Sequence, residues 1–184
     1  PSESFFRNLL VPEALGMRAA PGRSVVETER LLLRPLAPAD LEDFAAIFSD
    51  PEVTRYLGYD AGDYGRSRRE LEFWIDAHER RGTGMSGVVH KADGRLIGRC
   101  GFAPWELDGM REIELSFVLN RSYWGQGIAT EAVAALRDHG FQACGFQRLV
   151  SLFHPDNTAS ERVARKVGMT FERDVHSVTQ SLSL

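Results

Sequence analysis

Two glutamates two positions apart, a glycine-rich turn and an asparagine–serine pair carry the chemistry on offer in this 184-residue chain. Glu112 and Glu114 fall in the alternating run Glu112 to Leu119. That run predicts a strand with Ile113, Leu115, Phe117 and Leu119 on one face and Glu112, Glu114, Ser116 and Val118 on the other. A protonated amine has no lone pair for attack, and a carboxylate held beside it can take the proton directly or through one water. Next comes Ser122-Tyr123-Trp124-Gly125-Gln126-Gly127, followed by a helical pattern from Ile128. Glycines there permit unusual dihedrals and close approach, and the unpaired amides of a helix N-terminus suit an anion without any lysine. The turn matches neither the dinucleotide fingerprint nor a phosphate loop ending in Gly-Lys-Ser/Thr. A plain strand-to-helix turn is therefore the alternative reading. Asn157 can donate, accept or cap a helix, and Ser160 shares its first-turn face.

The elements that must position these groups read as follows. Val25 to Leu36 carries the first strand signal. A helix opens at Pro38-Ala39-Asp40 and ends at Pro51, and a second covers Arg68 to Arg81 with Leu71, Trp74, Ile75 and His78 inward. Met85 to His90 and Leu96 to Phe102 are strands joined by the hairpin signal Ala92-Asp93-Gly94-Arg95, and a loop runs from Ala103 to Arg111. A long helix from Ile128 to about Ala143 repeats apolar residues at Ile128, Ala132, Val133 and Leu136. Arg148 to Phe153, a helix from Thr158 to Val167, and Met169 to Val175 complete the order. This pattern predicts one mixed α/β domain over residues 25–184, with residues 1–24 as a leader or peripheral segment.

The net charge of -4 gives no reason to expect nucleic acid as a specific partner and weakly suits a cationic substrate. Cys100 and Cys144 share no metal-ligand spacing and are expected as free thiols of a reducing compartment. His78, His90, His139 and His176 form no metal-ligand spacing either, so no metal is expected. No apolar run approaches a membrane span and no secretory signal is seen, which sets a cytoplasmic, membrane-free default.

Four segments carry a resemblance. They are Thr28-Glu29-Arg30-Leu31-Leu32-Leu33-Arg34; Leu96-Ile97-Gly98-Arg99-Cys100-Gly101; Tyr123 to Ala132; and Asn157-Thr158-Ala159-Ser160 with Lys166-Val167-Gly168-Met169. In that order they are similar to the GNAT superfamily of acyl-coenzyme A-dependent N-acetyltransferases, and most resemble its ribosomal-protein N-terminal acetyltransferase branch. The resemblance implies a central, mostly antiparallel twisted sheet flanked by helices and splayed beside the cosubstrate. It implies acetyl-coenzyme A as cosubstrate, with its pyrophosphate on Ser122, Tyr123, Trp124, Gly125, Gln126 and Gly127. Leu119, Ile128 and Ala129 flank that cradle, and Asn157 and Ser160 lie beside the pantetheine arm. It further implies Glu114 as general base, Glu112 as a water- or substrate-orienting acid, and Ser160 as a donor near the departing thiol.

The sequence departs from the family in two places. Many members place a tyrosine seven residues beyond the asparagine, where this chain has Ala164. Members usually continue past the Gly168-Met169 segment with a final hairpin. Here His176 to Leu184 leaves a short partner strand, so a compact variant, a homodimer completing the sheet and an altered C-terminus all stay open. The acceptor wall is expected from Leu36 to Tyr64, the early helices and the Ala103–Arg111 loop, with Phe48, Tyr56, Tyr59, Tyr64, Trp74 and Trp105 as aromatic candidates. Glu52, Asp60, Asp63 and Asp108 are candidates for attracting a cation, and His154 for touching substrate. The implied reaction is direct acetyl transfer to an amine, either a small molecule or a protein N-terminus. The alternatives are a noncatalytic acyl-coenzyme A-binding regulator and a transferase of a larger acyl group.

Overall fold

The computed structural model describes residues 6–11, 25–176 and 178–180. Its strands are β1 (Phe6–Val11), β2 (Val26–Glu27), β3 (Leu31–Pro35), β4 (Met85–His90), β5 (Arg95–Leu107), β6 (Met110–Leu119), β7 (Leu149–Phe153), β8 (Thr170–Val175) and β9 (Val178–Gln180). They form one sheet in the order β2-β3-β4-β5-β6-β7-β1-β8, with β9 pairing β5 off that path. Every pairing is antiparallel except β6 with β7. The helices are α1 (Leu41–Ile47), α2 (Pro51–Thr54), α3 (Tyr64–Arg81), α4 (Ile128–Gln142) and α5 (Thr158–Lys166).

Alternation in the strands sends apolar side chains to both faces, so the sheet is covered on both. One core joins Leu115 and Leu119 to Ile128, Val133 and Leu136 of α4 and Ala164 of α5. The other joins Met85, Ala103 and Val118 to Phe44 of α1 and to Leu71 and Trp74 of α3. The mixed α/β architecture expected from the element order is the one observed.

Several expectations need correction. The stretch Val25 to Leu36 is two strands, because Thr28 caps a turn: its Oγ1 accepts from Leu31 N–H at 3.0 Å. Pro51 opens α2 instead of only closing α1, with the Asp50 side chain accepting from Glu52 N–H at 2.9 Å. Helix α3 starts at Tyr64, where Asp63 accepts from Arg66 N–H at 2.8 Å. The expected loop at Ala103–Arg111 is mostly strand. Hairpin β5–β6 runs on to Asp108-Gly109, whose φ values of 47° and 81° make the two-residue turn favoured by this dipeptide. Pro104 does not end β5, because it falls between the stretch paired to β4, ending at Gly101, and the stretch paired to β9, beginning at Trp105.

The expected peripheral leader misplaces Phe6–Val11. That segment lies inside the sheet, antiparallel to both β7 and β8, with Leu9 fully buried. The rest of the leader, residues 1–5 and 12–24, and the tail residues 181–184 lie outside the described residues. On the other side, β9 pairs with Trp105, Glu106 and Leu107.

Candidate active site

Strands β6 and β7 share a single bridge, Glu114 with Val150, and then part. A cleft of about 1280 Å³ opens there, lined by Glu114, Ser116 and Phe117 of β6 and by Ser151, Leu152 and Phe153 of β7. Asn157 and Ser160 close one side and the α2–α3 region the other.

Glu114 is buried at the head of this cleft. Trp105 lies on the same face of β5 and donates its indole N–H to Glu114 Oε2 at 2.6 Å. The backbone of Leu152, across the cleft on β7, adds a weaker pull on the carboxyl. Burial nonetheless dominates and pushes the Glu114 carboxyl up to about 7, against the opposing pull of Trp105, Arg99 and Leu152. A carboxyl poised near neutrality and held by an indole N–H has the properties a general base needs.

Glu112 does not join it. Arg148 takes both of its oxygens, at 3.0 and 2.9 Å from Nε, and also reaches Glu172. The pair ties the start of β6 to β7 below the cleft, so the structure gives Glu112 a clamping position and not the orienting one expected.

Asn157 caps α5, accepting from Ser160 N–H at 3.1 Å, and both residues line the cleft. Ala164 is fully buried in the α4–α5 core. Ser160 is thus the hydroxyl of α5's first turn that faces the cleft region. Cys100 is fully buried and burial pushes its thiol up to about 12, which removes it as a nucleophile. Cys144 is the other free cysteine. No group of His, Cys, Asp and Glu among the described residues could hold a metal, and no described helix is long and apolar enough to cross a membrane.

The glycine turn follows directly on β6. Asn120 accepts from Ser122 N–H, and Trp124 donates its indole N–H to Leu119 O at 2.9 Å. Gln126 donates its side-chain amide to Ser122 O at 2.8 Å. Gly125 (φ 74°) and Gly127 (φ 79°) take the left-handed conformation, and Gly127 caps α4. The first intrahelical bond of α4 starts at Glu131 N–H, which leaves the amides of Ile128, Ala129 and Thr130 without an intrahelical acceptor. Gln126 and Gly127 are exposed ahead of them, while Ile128 buries its side chain in the core. This donor set fits a diphosphate. Glu131 anchors the turn from behind: it accepts from Thr28 Oγ1 at 2.6 Å, Arg30 N–H at 2.9 Å and Arg30 Nε at 2.7 Å. Arg30 in turn donates to Gln126 O at 2.9 Å. The motif Thr28-Glu29-Arg30 therefore holds the cradle's shape, a role sequence reasoning did not assign.

The charged residues of the acceptor side are not the ones expected. Glu52 faces Arg55, Asp63 caps α3 and faces Arg69, and Asp108 meets Arg173 in the β5–β6 turn. None of these acids, nor Asp60, lines the cleft, whereas Arg55, Arg66, Arg69 and Arg99 do. Of the aromatic candidates, Tyr56, Tyr59, Trp74 and Trp105 line it; Phe48 is core and Tyr64 bonds Glu42 outside. His154 stacks on Tyr56 with ring centroids 5.4 Å apart, joining the loop after α2 to the end of β7 at the cleft.

Comparison with known proteins agrees with this geometry. The sequence profile described as "Acetyltransferase (GNAT) domain" matches residues 30–170. The chain is 30% identical over 163 residues to the uncharacterized protein YkkB of Bacillus subtilis (strain 168), covering 85% of this chain and 91% of that one. The crystal structure of an acetyltransferase from Agrobacterium tumefaciens str. C58 superposes with a TM-score of 0.71 at 27% identity, covering 93% of this chain and all of that one (100%). The fold is also shared with RimL, a ribosomal L7/L12 alpha-N-protein acetyltransferase solved in complex with coenzyme A. That match has a TM-score of 0.67 and 20% identity, covering 84% and 94% of the two chains. The ribosomal-protein acetyltransferases are one group among several similar ones and do not stand apart as nearest.

Proposed function

The chain belongs to the GNAT family of acetyltransferases, and we propose that it transfers an acetyl group from acetyl-coenzyme A directly to an amine, with Glu114 as general base. The observation that carries this reading is the Glu114 carboxyl: buried at the parting of β6 and β7, held by Trp105, and poised at about 7. Acetyl-coenzyme A supplies an activated thioester; the amine nitrogen bonds to its carbonyl carbon and the carbon–sulfur bond breaks. The turn from Ser122 to Gly127 and the first amides of α4 bind the pyrophosphate. The parted edges of β6 and β7 take the pantetheine arm, with Asn157 and Ser160 alongside. Glu114 accepts the proton the amine must lose, and Ser160 stands where the departing thiolate is met. Positioning and exclusion of water do most of the remaining work. The acceptor is an amine of a small molecule or of a protein N-terminus; neither nucleic acid nor a membrane enters the reading.

The test is thiol release from acetyl-coenzyme A across a diverse amine panel, alongside coenzyme A calorimetry. Amine-dependent release with turnover-competent binding supports the assignment. Binding without release on any amine or peptide of the panel removes the catalytic reading, and no binding to the folded protein removes the site.

A further inference from the structure

Where β5 and α3 line the cleft, Arg99 and Arg66 converge on Glu70. Arg99 of β5 has a side chain only 10% exposed, and its Nε lies 3.1 Å from Glu70 Oε1 but out of line for a hydrogen bond. Arg66 of α3 lies 3.3 Å over the Tyr59 ring and 3.8 Å from Glu70 Oε2. Its Nε is buried without a hydrogen bond, as is the Tyr59 hydroxyl. Among the described residues, nothing accepts from the terminal nitrogens of Arg99.

Two guanidinium groups therefore share one carboxylate beside the cleft, and Arg99 keeps terminal N–H donors that no described residue accepts. A planar fork of free donors is the shape that recognises a carboxylate. Arg99 sits on the same sheet face as Glu114, four residues along β5 from Ala103, the residue paired with Glu114. That spacing is about 13 Å between backbone rows, and the long arginine side chain shortens it.

We infer that the acceptor amine carries a carboxylate a few bonds away, bound by Arg99 and Arg66 while Glu114 takes the proton from its nitrogen. This rests on reading the cleft as an acetyl-transfer site. Free amino acids and peptide N-termini with a nearby acidic side chain share the required chemistry.

The experiment uses matched acceptors: each amino acid, its carboxamide and its decarboxylated amine, plus peptides with acidic or neutral residues behind a free N-terminus. The expected result is a 10- to 100-fold preference in kcat/KM for the carboxylate member, a range set by losing a charge-assisted pair. Arg99→Gln and, separately, the less buried Arg66→Gln abolish the preference, Arg99→Lys restores part of it, and coenzyme A affinity is unchanged. Equal use of acid, amide and amine by the wild type overturns the inference while leaving the transferase reading intact. So does an arginine dependence that follows succinyl-coenzyme A as donor and ignores the acceptor's carboxylate. If no thiol is released at all, calorimetry of N-acetyl amino acids against their amides, with coenzyme A present, still decides the matter. An Arg99-dependent preference for the acids supports the inference, and its absence overturns it.

Discussion

Replacing Glu114 with Gln separates chemistry from folding. Burial moves this carboxyl from 4.5 to about 7. At about 1.4 kcal/mol per pH unit, ionising it in the folded protein costs about 3 kcal/mol more than in the unfolded chain. Between those two values the unfolded chain binds fewer protons than the folded one, so stability falls as pH rises, is fully kept below 4.5 and fully lost above 7. Gln keeps the shape, can accept the Trp105 N–H, and carries no charge to bury. The variant should match wild type in stability near pH 4 and exceed it by up to about 3 kcal/mol at pH 8, read by denaturant titration. Turnover should move the other way. The ratio of wild-type to variant kcat/KM removes the titration of the acceptor amine, which both proteins share. It should rise about tenfold from pH 5 to 6, pass half its plateau near pH 7, and level at roughly 10²–10⁴ above pH 8. A ratio near one at every pH, or one that does not titrate, would refute Glu114 as the base. A variant less stable than wild type at pH 8 would refute the claim that its charge is held at a cost.

Trp105→Phe removes a donor that favours the ionised Glu114, so the pH–rate midpoint should move upward, as read in the same wild-type ratio. Gly127→Val forces a β-branched residue into φ 79° beside the Arg30 guanidinium, costing about 1–3 kcal/mol of strain and lowering coenzyme A affinity at least tenfold by calorimetry. Glu112→Gln breaks the clamp to Arg148 but spares the cleft. It should lower Tm by roughly 2–6 °C, for a loss of about 1–2 kcal/mol in a chain of this size, with the pH profile of turnover unchanged.

Periodicity made the central elements legible: β6 and α4 stand where alternation and helical spacing put them. The glycine turn was readable because its chemistry is local, a matter of φ and free amides. What escaped was long-range. Glu112 and Glu114 look equivalent along the strand, and only the arrival of Arg148 beside one and Trp105 beside the other tells them apart. Of the acidic residues expected to attract a cation, Glu52, Asp63 and Asp108 face arginines outside the cleft, while Arg66 and Arg99, unremarkable in sequence, converge from α3 and β5 on it. The second half of β5, expected as loop, is held as strand by its pairing with β6 and β9 across the Asp108-Gly109 turn.

The placement of β1 sets an order of events during synthesis. Phe6–Val11 pairs with residues 149–153 and 170–175, far along the chain from it. At ordinary translation rates it waits on the order of ten seconds or more after emerging before its partners exist. Until then it is an apolar strand with two open edges, a template for wrong pairing. Closing so long a loop is also a slow, late step of folding. In the finished sheet β1 is what joins β7 to β8, so those two strands are linked only through it.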